Sequence, residues 1–145
     1  MTESNRAEAA IDAVSRFLRL VEKRDLDAAS KYLAPDVEIV FPGGRRFTDL
    51  RSQVESSSGR FQKLTKSFEE FDVVTSDAHL VVYLMGHLSG EDASGRPFEK
   101  VRYVDRFVIK DGLISNHWVW NDLAESGVVE PGSGKWLSPE ESHGS

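Results

Sequence analysis

The chain has 145 residues, enough for one domain with a substantial core, and its 39% hydrophobic and 29% charged content is that of an ordinary globular protein. A formal net charge of −6 argues against a nucleic-acid partner, and the absence of cysteine excludes disulfides, thiolate nucleophiles and zinc–thiolate sites. The start, MTESNRAEAA, lacks the apolar core of a signal peptide, and the longest apolar run, Leu80 to Met85, is too short to cross a bilayer, so a cytoplasmic protein with no membrane partner is expected.

In chain order, Ala10, Val14, Phe17, Leu18 and Val21 recur at helical spacing and predict an amphipathic helix from about Arg6 to Lys23, capped by Ser4 or Asn5. Asp25 caps a short second helix, Leu26 to Leu33, which Ala34-Pro35 ends. Val37, Ile39 and Phe41 alternate in a strand that Pro42-Gly43-Gly44 breaks. Arg45-Arg46 follows, either as solvated surface charge or as a guide for an anionic substrate. Sparse apolar positions at Leu50, Val54, Phe61 and Leu64 predict a third helix from Thr48 or Asp49 towards Leu64, with Ser56-Ser57-Ser58 weakening its middle.

Four strands complete the pattern: Ser67 to Val74, His79 to Leu88, Arg96 to Ile109 and Ile114 to Asn121. In the second of these, Leu80, Val82, Leu84 and Leu88 take one side, and His79, Val81, Tyr83, Met85 and His87 the other. After Asp122 the chain turns rich in Gly, Ser, Pro and Glu. A single domain over residues 1–127 with a flexible tail over 128–145 is expected, on which Val128, Val129 and Trp136 are candidates to dock.

The chemistry concentrates in Val101 to Asp122, VRYVDRFVIKDGLISNHWVWND. Alternation puts Val101, Tyr103, Asp105, Phe107 and Ile109 on one face, so a lone carboxyl sits among apolar neighbours. Desolvation raises a carboxyl pKa and can make Asp105 a proton donor near neutral pH. What faces Asp105 depends on the turn. A two-residue type I′ turn at Asp111-Gly112 pairs Lys110 with Leu113 and sets Asp105 opposite Trp118. A three-residue turn with a glycine bulge pairs Ile109 with Leu113 and sets Asp105 opposite His117; Lys-Asp-Gly favours this form. The plainer readings are a structural Asp105 bonded to Tyr103, Tyr83 or a backbone amide, a core His117 satisfied by Asp105, a turn-capping Asp122 and a hairpin-end His87. No HxH or HExxH spacing occurs, so no metal is expected. Gly132-Ser133-Gly134-Lys135 lacks the upstream Gly and the following Ser or Thr of a phosphate loop.

Helices first and antiparallel strands after make the class α+β. The amphipathic first helix, RDLDAASKYLAPDVEIVFPGG, VRYVDRFVIKDGLI and HWVWNDLAE, in that order over residues 7 to 125, resemble the nuclear transport factor 2-like superfamily, particularly its SnoaL-like and ketosteroid-isomerase-like branches. The resemblance implies a cone-shaped curved antiparallel sheet wrapped around N-terminal helices (a cystatin-like roll) with an interior pocket. That fold hosts isomerases, cyclases, dehydratases, epoxide hydrolases and non-catalytic binders. Asp105 falls where ketosteroid isomerase keeps a protonated aspartic acid in its oxyanion hole; that enzyme's base aspartate and its tyrosine fall on Phe41 and Phe17, so two of its three groups are missing. The Arg and two Asp of limonene epoxide hydrolase fall on Met85, His87 and Asp122. His117-Trp118 followed by Asp122 is similar to the SnoaL-like polyketide cyclases, which implicates Asp122 as acid/base.

Together these readings predict a cofactor-independent acid/base enzyme (isomerase, cyclase or dehydratase) for a small apolar carbonyl-containing metabolite. Its catalytic candidates are Asp105, donating to a developing enolate, His117, shuttling the proton, and Asp122. Phe17, Phe41, Tyr83, Met85, His87, Tyr103, Phe107 and Trp118 are the candidates to bind substrate. Trp118, Trp120, Val104 and Val108 would form an apolar outer face for a homodimer. The alternative is a ligand-binding or accessory dimerisation domain of the same fold.

Overall fold

The structure, a computed structural model, describes residues 2–132; the expected tail beyond Gly132, with Trp136, lies outside the described residues. Helix α1 (Glu3–Glu22) starts a turn earlier than expected because Thr2 supplies the cap, its side chain accepting the Asn5 amide at 3.1 Å. Asp25 caps α2 (Leu26–Ser30). That helix stops short of Leu33, since a residue before proline prefers extended backbone, and strand β1 (Leu33–Phe41) already runs through Ala34-Pro35. At Pro42–Gly44 the chain turns with Gly43 and Gly44 at φ of 84° and 80°, left-handed values that favour glycine. It then folds back as β2 (Arg45–Phe47), a strand too short to show a periodicity.

Helix α3 (Leu50–Ser56) is half the length expected. Ser57, Ser58 and Gly59, the last at φ 84°, end it, and Phe61–Lys66 is a strand, β3, whose backbone pairs with β5 (Leu80–Asp92). A weak helical pattern lost to sheet pairing, because the tertiary contact with β5 overrides so slight an intrinsic preference. Next come β4 (Glu70–Thr75), on the first half of β5, then β6 (Pro97–Lys110) and β7 (Leu113–Asn121). The sheet order is β2-β1-β7-β6-β5-β3 with β4 beside β5. It is mixed rather than wholly antiparallel, because β1 and β7, remote in sequence, run parallel.

The β6–β7 hairpin follows neither expected register. Asp111 and Gly112 have φ of 53° and 77°, as a two-residue type I′ turn requires, and Lys110 pairs with Leu113. Ser115 then bulges out: Ile109 pairs with Ile114, but Val108 with Asn116. Asp105 therefore lies opposite Val119, and His117 opposite Phe107. One bulged residue reverses which face a strand presents, so Asp105 and His117 still share a face, as diagonal neighbours, and Trp118 goes to the other.

The curved sheet wraps α1, whose Ala10, Val14, Phe17 and Leu18 pack on Leu80, Val82, Leu84 and Leu88 of β5 and on Val101, Tyr103, Phe107 and Ile109 of β6. Val128 and Val129 pack against the same core. No described helix is long and apolar enough to cross a membrane.

Candidate functional site

Between α1, α3 and the concave sheet face lies a cavity of about 440 Å³, the size of a small-molecule site. Phe17 and Leu18, Phe41, Leu50 and Val54, Leu88 and Leu123 give it apolar walls, and Arg45, Gln53, Arg60, Lys66, Tyr103 and His117 supply polar groups.

His117 is clamped. Phe107 stacks on its ring at 4.2 Å and 12°, while Phe17 and Phe41 meet it edge-on at 5.9 and 6.1 Å. Its Nε2 lies 3.3 Å from Oδ2 of Asp105, a carboxyl with no solvent exposure. Burial lowers the imidazole pKa, and Lys66 adds to that, more than Asp105 raises it. The ring is therefore neutral at neutral pH. Nε2 carries its proton toward the carboxylate, and Nδ1, which bonds no protein group among the described residues, is left as the basic atom.

Asp105 corrects an expectation. Burial does push its pKa up, but the Lys66 ammonium and the His117 hydrogen bond together outweigh burial and hold it below the ordinary 3.8. Lys66 Nζ bonds the same Oδ2. Asp105 is thus a carboxylate beside the His117 ring rather than a protonated donor, and its Oδ1 is buried with no partner among the described residues.

Lys66 was not singled out in the sequence, where it lies between an expected helix and strand. Three features place it. The Lys66 amide donates to Glu22 Oε2 and its carbonyl accepts from Arg19 Nη1, both at 3.0 Å, so α1 grips its backbone. Between β3 and β4 the chain kinks at Ser67, whose carbonyl accepts the Tyr103 hydroxyl at 2.6 Å. Gly86 permits the kink, since a Cβ there would overlap the Ser67 carbonyl. That glycine, inside an apolar strand, is the signal in the sequence that could have announced a close backbone approach.

Of the expected site residues, Phe17, Phe41, Tyr103 and His117 line the cavity, and Phe107 and Asp105 stand directly behind His117. Burial, then the Asp105 charge, raises the Tyr103 phenol, which stays protonated and committed to Ser67. The others are elsewhere. Met85, His87 and Asp122 border a second, more open depression, with His87 Nδ1 2.7 Å from Glu69 and Asp122 2.7 Å from Arg102 Nε. Trp118 lies on the outer face, its indole donating to Glu38 at 3.2 Å under the Arg106 guanidinium, and Tyr83 sits beside Arg106 there. Alternation explains it: Tyr83, Met85 and His87 take the opposite parity to Leu84 and Leu88.

Residues 14–117 match the family described as SnoaL-like domain. No curated protein matches the sequence. In structure the chain is similar to an NTF2-like protein of unknown function from Burkholderia pseudomallei, with TM-score 0.72 at 16% identity over 84% of this chain and 98% of that one. It is similar to a proposed ketosteroid isomerase from Shewanella frigidimarina, at 0.64 and 18% over 77% and 94%. A proposed polyketide cyclase from Xanthomonas campestris pv. campestris gives 0.61 and 18% over 83% and 95%. At such identities the likeness is one of fold.

Proposed function

The chain belongs to the SnoaL-like domain family, and from that premise we propose that it is a cofactor-independent acid/base enzyme for a small apolar carbonyl compound. The observation that carries this reading is the neutral His117, cavity-facing and held by the Asp105 carboxylate at 3.3 Å. His117 Nδ1 takes a proton from the carbon next to the carbonyl. The imidazolium is stabilised by Asp105, as an oriented carboxylate does for a histidine base, and returns the proton to another carbon or to a leaving oxygen. Isomerisation, cyclisation and dehydration all use that step. A positioned base contributes about 10²–10⁴-fold, enough for an activated substrate in an apolar cavity. Asp122, ion-paired outside the cavity, has no part in it.

2-Tetralone, apolar, bicyclic and enolisable, is the probe. The protein is expected to accelerate exchange of its α-hydrogens with deuterated water, read by NMR, and His117→Ala to abolish the acceleration. Exchange no faster than in buffer, or unchanged in His117→Ala, overturns the reading in favour of a ligand-binding domain. The same family reading supports a homodimer through the outer sheet face, where Trp120 is 50% exposed and packs edge-on against Trp118 at 6.2 Å.

A further inference from the structure

The cavity is positive inside a protein of net charge −6. Arg24, Arg45, Arg60 and Lys66 border it, against one carboxylate, Glu22. Lys66 is paired with Asp105, and Glu22 with Arg19. Among the described residues no carboxylate lies within ion-pair distance of Arg24, Arg45 or Arg60.

Two of these cations are sealed from solvent at atoms that need partners. Arg45 is only 6% exposed; its Nε donates to the Pro42 carbonyl at 3.3 Å, but its Nη1 is buried with no acceptor among the described residues. Arg60 Nε is buried in the same way. Their guanidiniums lie 5.9 Å from the Phe41 ring and 5.8 Å from the Phe61 ring, contacts that leave those N–H groups without an acceptor. A buried guanidinium without a counter-charge is costly, and repulsion from a second, half-buried one adds to that cost. Burial lowers both pKa values, and the Arg60 charge lowers that of Arg45 further.

Strand β2 explains how Arg45 arrives. Arg45 turns inward and Arg46 outward, where Arg46 pairs with Glu38 at 2.6 Å. Arg60 follows Gly59 at the end of α3. Phe41 separates the pair from the base: its ring faces the Arg45 guanidinium on one side and meets His117 on another.

We propose that Arg45 and Arg60 form an anion subsite, and that the natural ligand is an apolar acid whose carboxylate they hold while its body passes Phe41 to reach His117. The proposal rests on the reading of this cavity as the substrate site. A carboxylate in the cavity offers the counter-charge that both guanidiniums lack, and guanidinium–carboxylate pairing is strong where water is excluded.

Calorimetry with 2-naphthaleneacetate and its uncharged isostere 2-naphthaleneacetamide tests it. The acid should bind at least about tenfold more tightly than the amide, the scale of one charge-assisted hydrogen bond. Arg45→Met should close that gap, and Arg60→Gln, at a less buried position, should narrow it without endangering the fold. Equal affinities in the unaltered protein, or an acid preference that survives both substitutions, would overturn the subsite. His117→Ala keeps the two readings apart, since it should retain the acid preference while losing 2-tetralone exchange. Exchange without acid preference removes only the subsite; acid preference without exchange removes only the acid/base chemistry; binding of neither ligand removes the cavity as a substrate site, and the subsite with it.

Discussion

Asp105 is fully buried yet ionised, and its surroundings make the protein acid-sensitive in two stages. For His117 the folded pKa lies below the ordinary 6.5, so below that pH the unfolded chain binds more protons than the folded one and stability drops as the pH is lowered. For Asp105 the folded pKa lies below 3.8, so its contribution is complete above that value and is lost as pH falls through the lower, folded one. The urea midpoint is therefore expected to hold near pH 7, decline from about 6.5 downward, and decline again below about 4. His117→Gln should flatten the upper decline and shrink the lower without abolishing it, since Lys66 still acts on Asp105. A decline between pH 7 and 5 as steep in His117→Gln as in the unaltered protein would show that another group carries it.

Among the elements, the kinked edge formed by β3, Ser67 and β4 does most to assemble the site. It lies along β5, with the Ser67 amide bonded to the His87 carbonyl at 2.9 Å and the Glu69 amide to that of Met85 at 3.1 Å. Gly86 is the hinge of this arrangement, because its missing side chain leaves the space the Ser67 carbonyl occupies. Gly86→Ala must push that backbone outward, which is expected to cost about 1–3 kcal/mol in urea unfolding and to pull Lys66 away from Asp105. A variant of unaltered stability and unaltered exchange activity would remove Gly86 from the account. The legibility of the elements divides along the same line. α1, β1, β5, β6 and β7 were visible because their apolar periods are strong and their caps and turns agree with them. The third helix was overextended because Phe61 and Leu64 suit a helical spacing as well as they suit a strand, and only the open edge of β5 decided between them.

At the scale of the whole molecule, the sheet shields α1 on its concave side and leaves Trp120 half-exposed on the convex one. The outer face is less apolar than the sequence suggested, since Val108 is buried and Arg106 covers Trp118. A second copy joined through the remaining indole surface is expected to give a solution mass of twice 16.2 kDa by light scattering, and Trp120→Glu a monomer. A monomeric mass for the unaltered protein removes the dimer and leaves the cavity reading untouched.

The sequence by itself determined the α+β class and carried the resemblance later matched over residues 14–117, but it left His117 and Trp118 both open as the neighbour of Asp105 until the Ser115 bulge decided for His117. The class follows from local periodicity, which a strand or helix imposes on every residue it contains. Tertiary structure alone decided the state of Asp105, because its charge depends on Lys66, 39 residues away, set in place by α1 and by the space at Gly86. It likewise brought Arg45 and Arg60 to one cavity from two elements that no periodicity relates. Electrostatic free energy depends on distances through space and on the exclusion of water, and neither exists until the chain has folded.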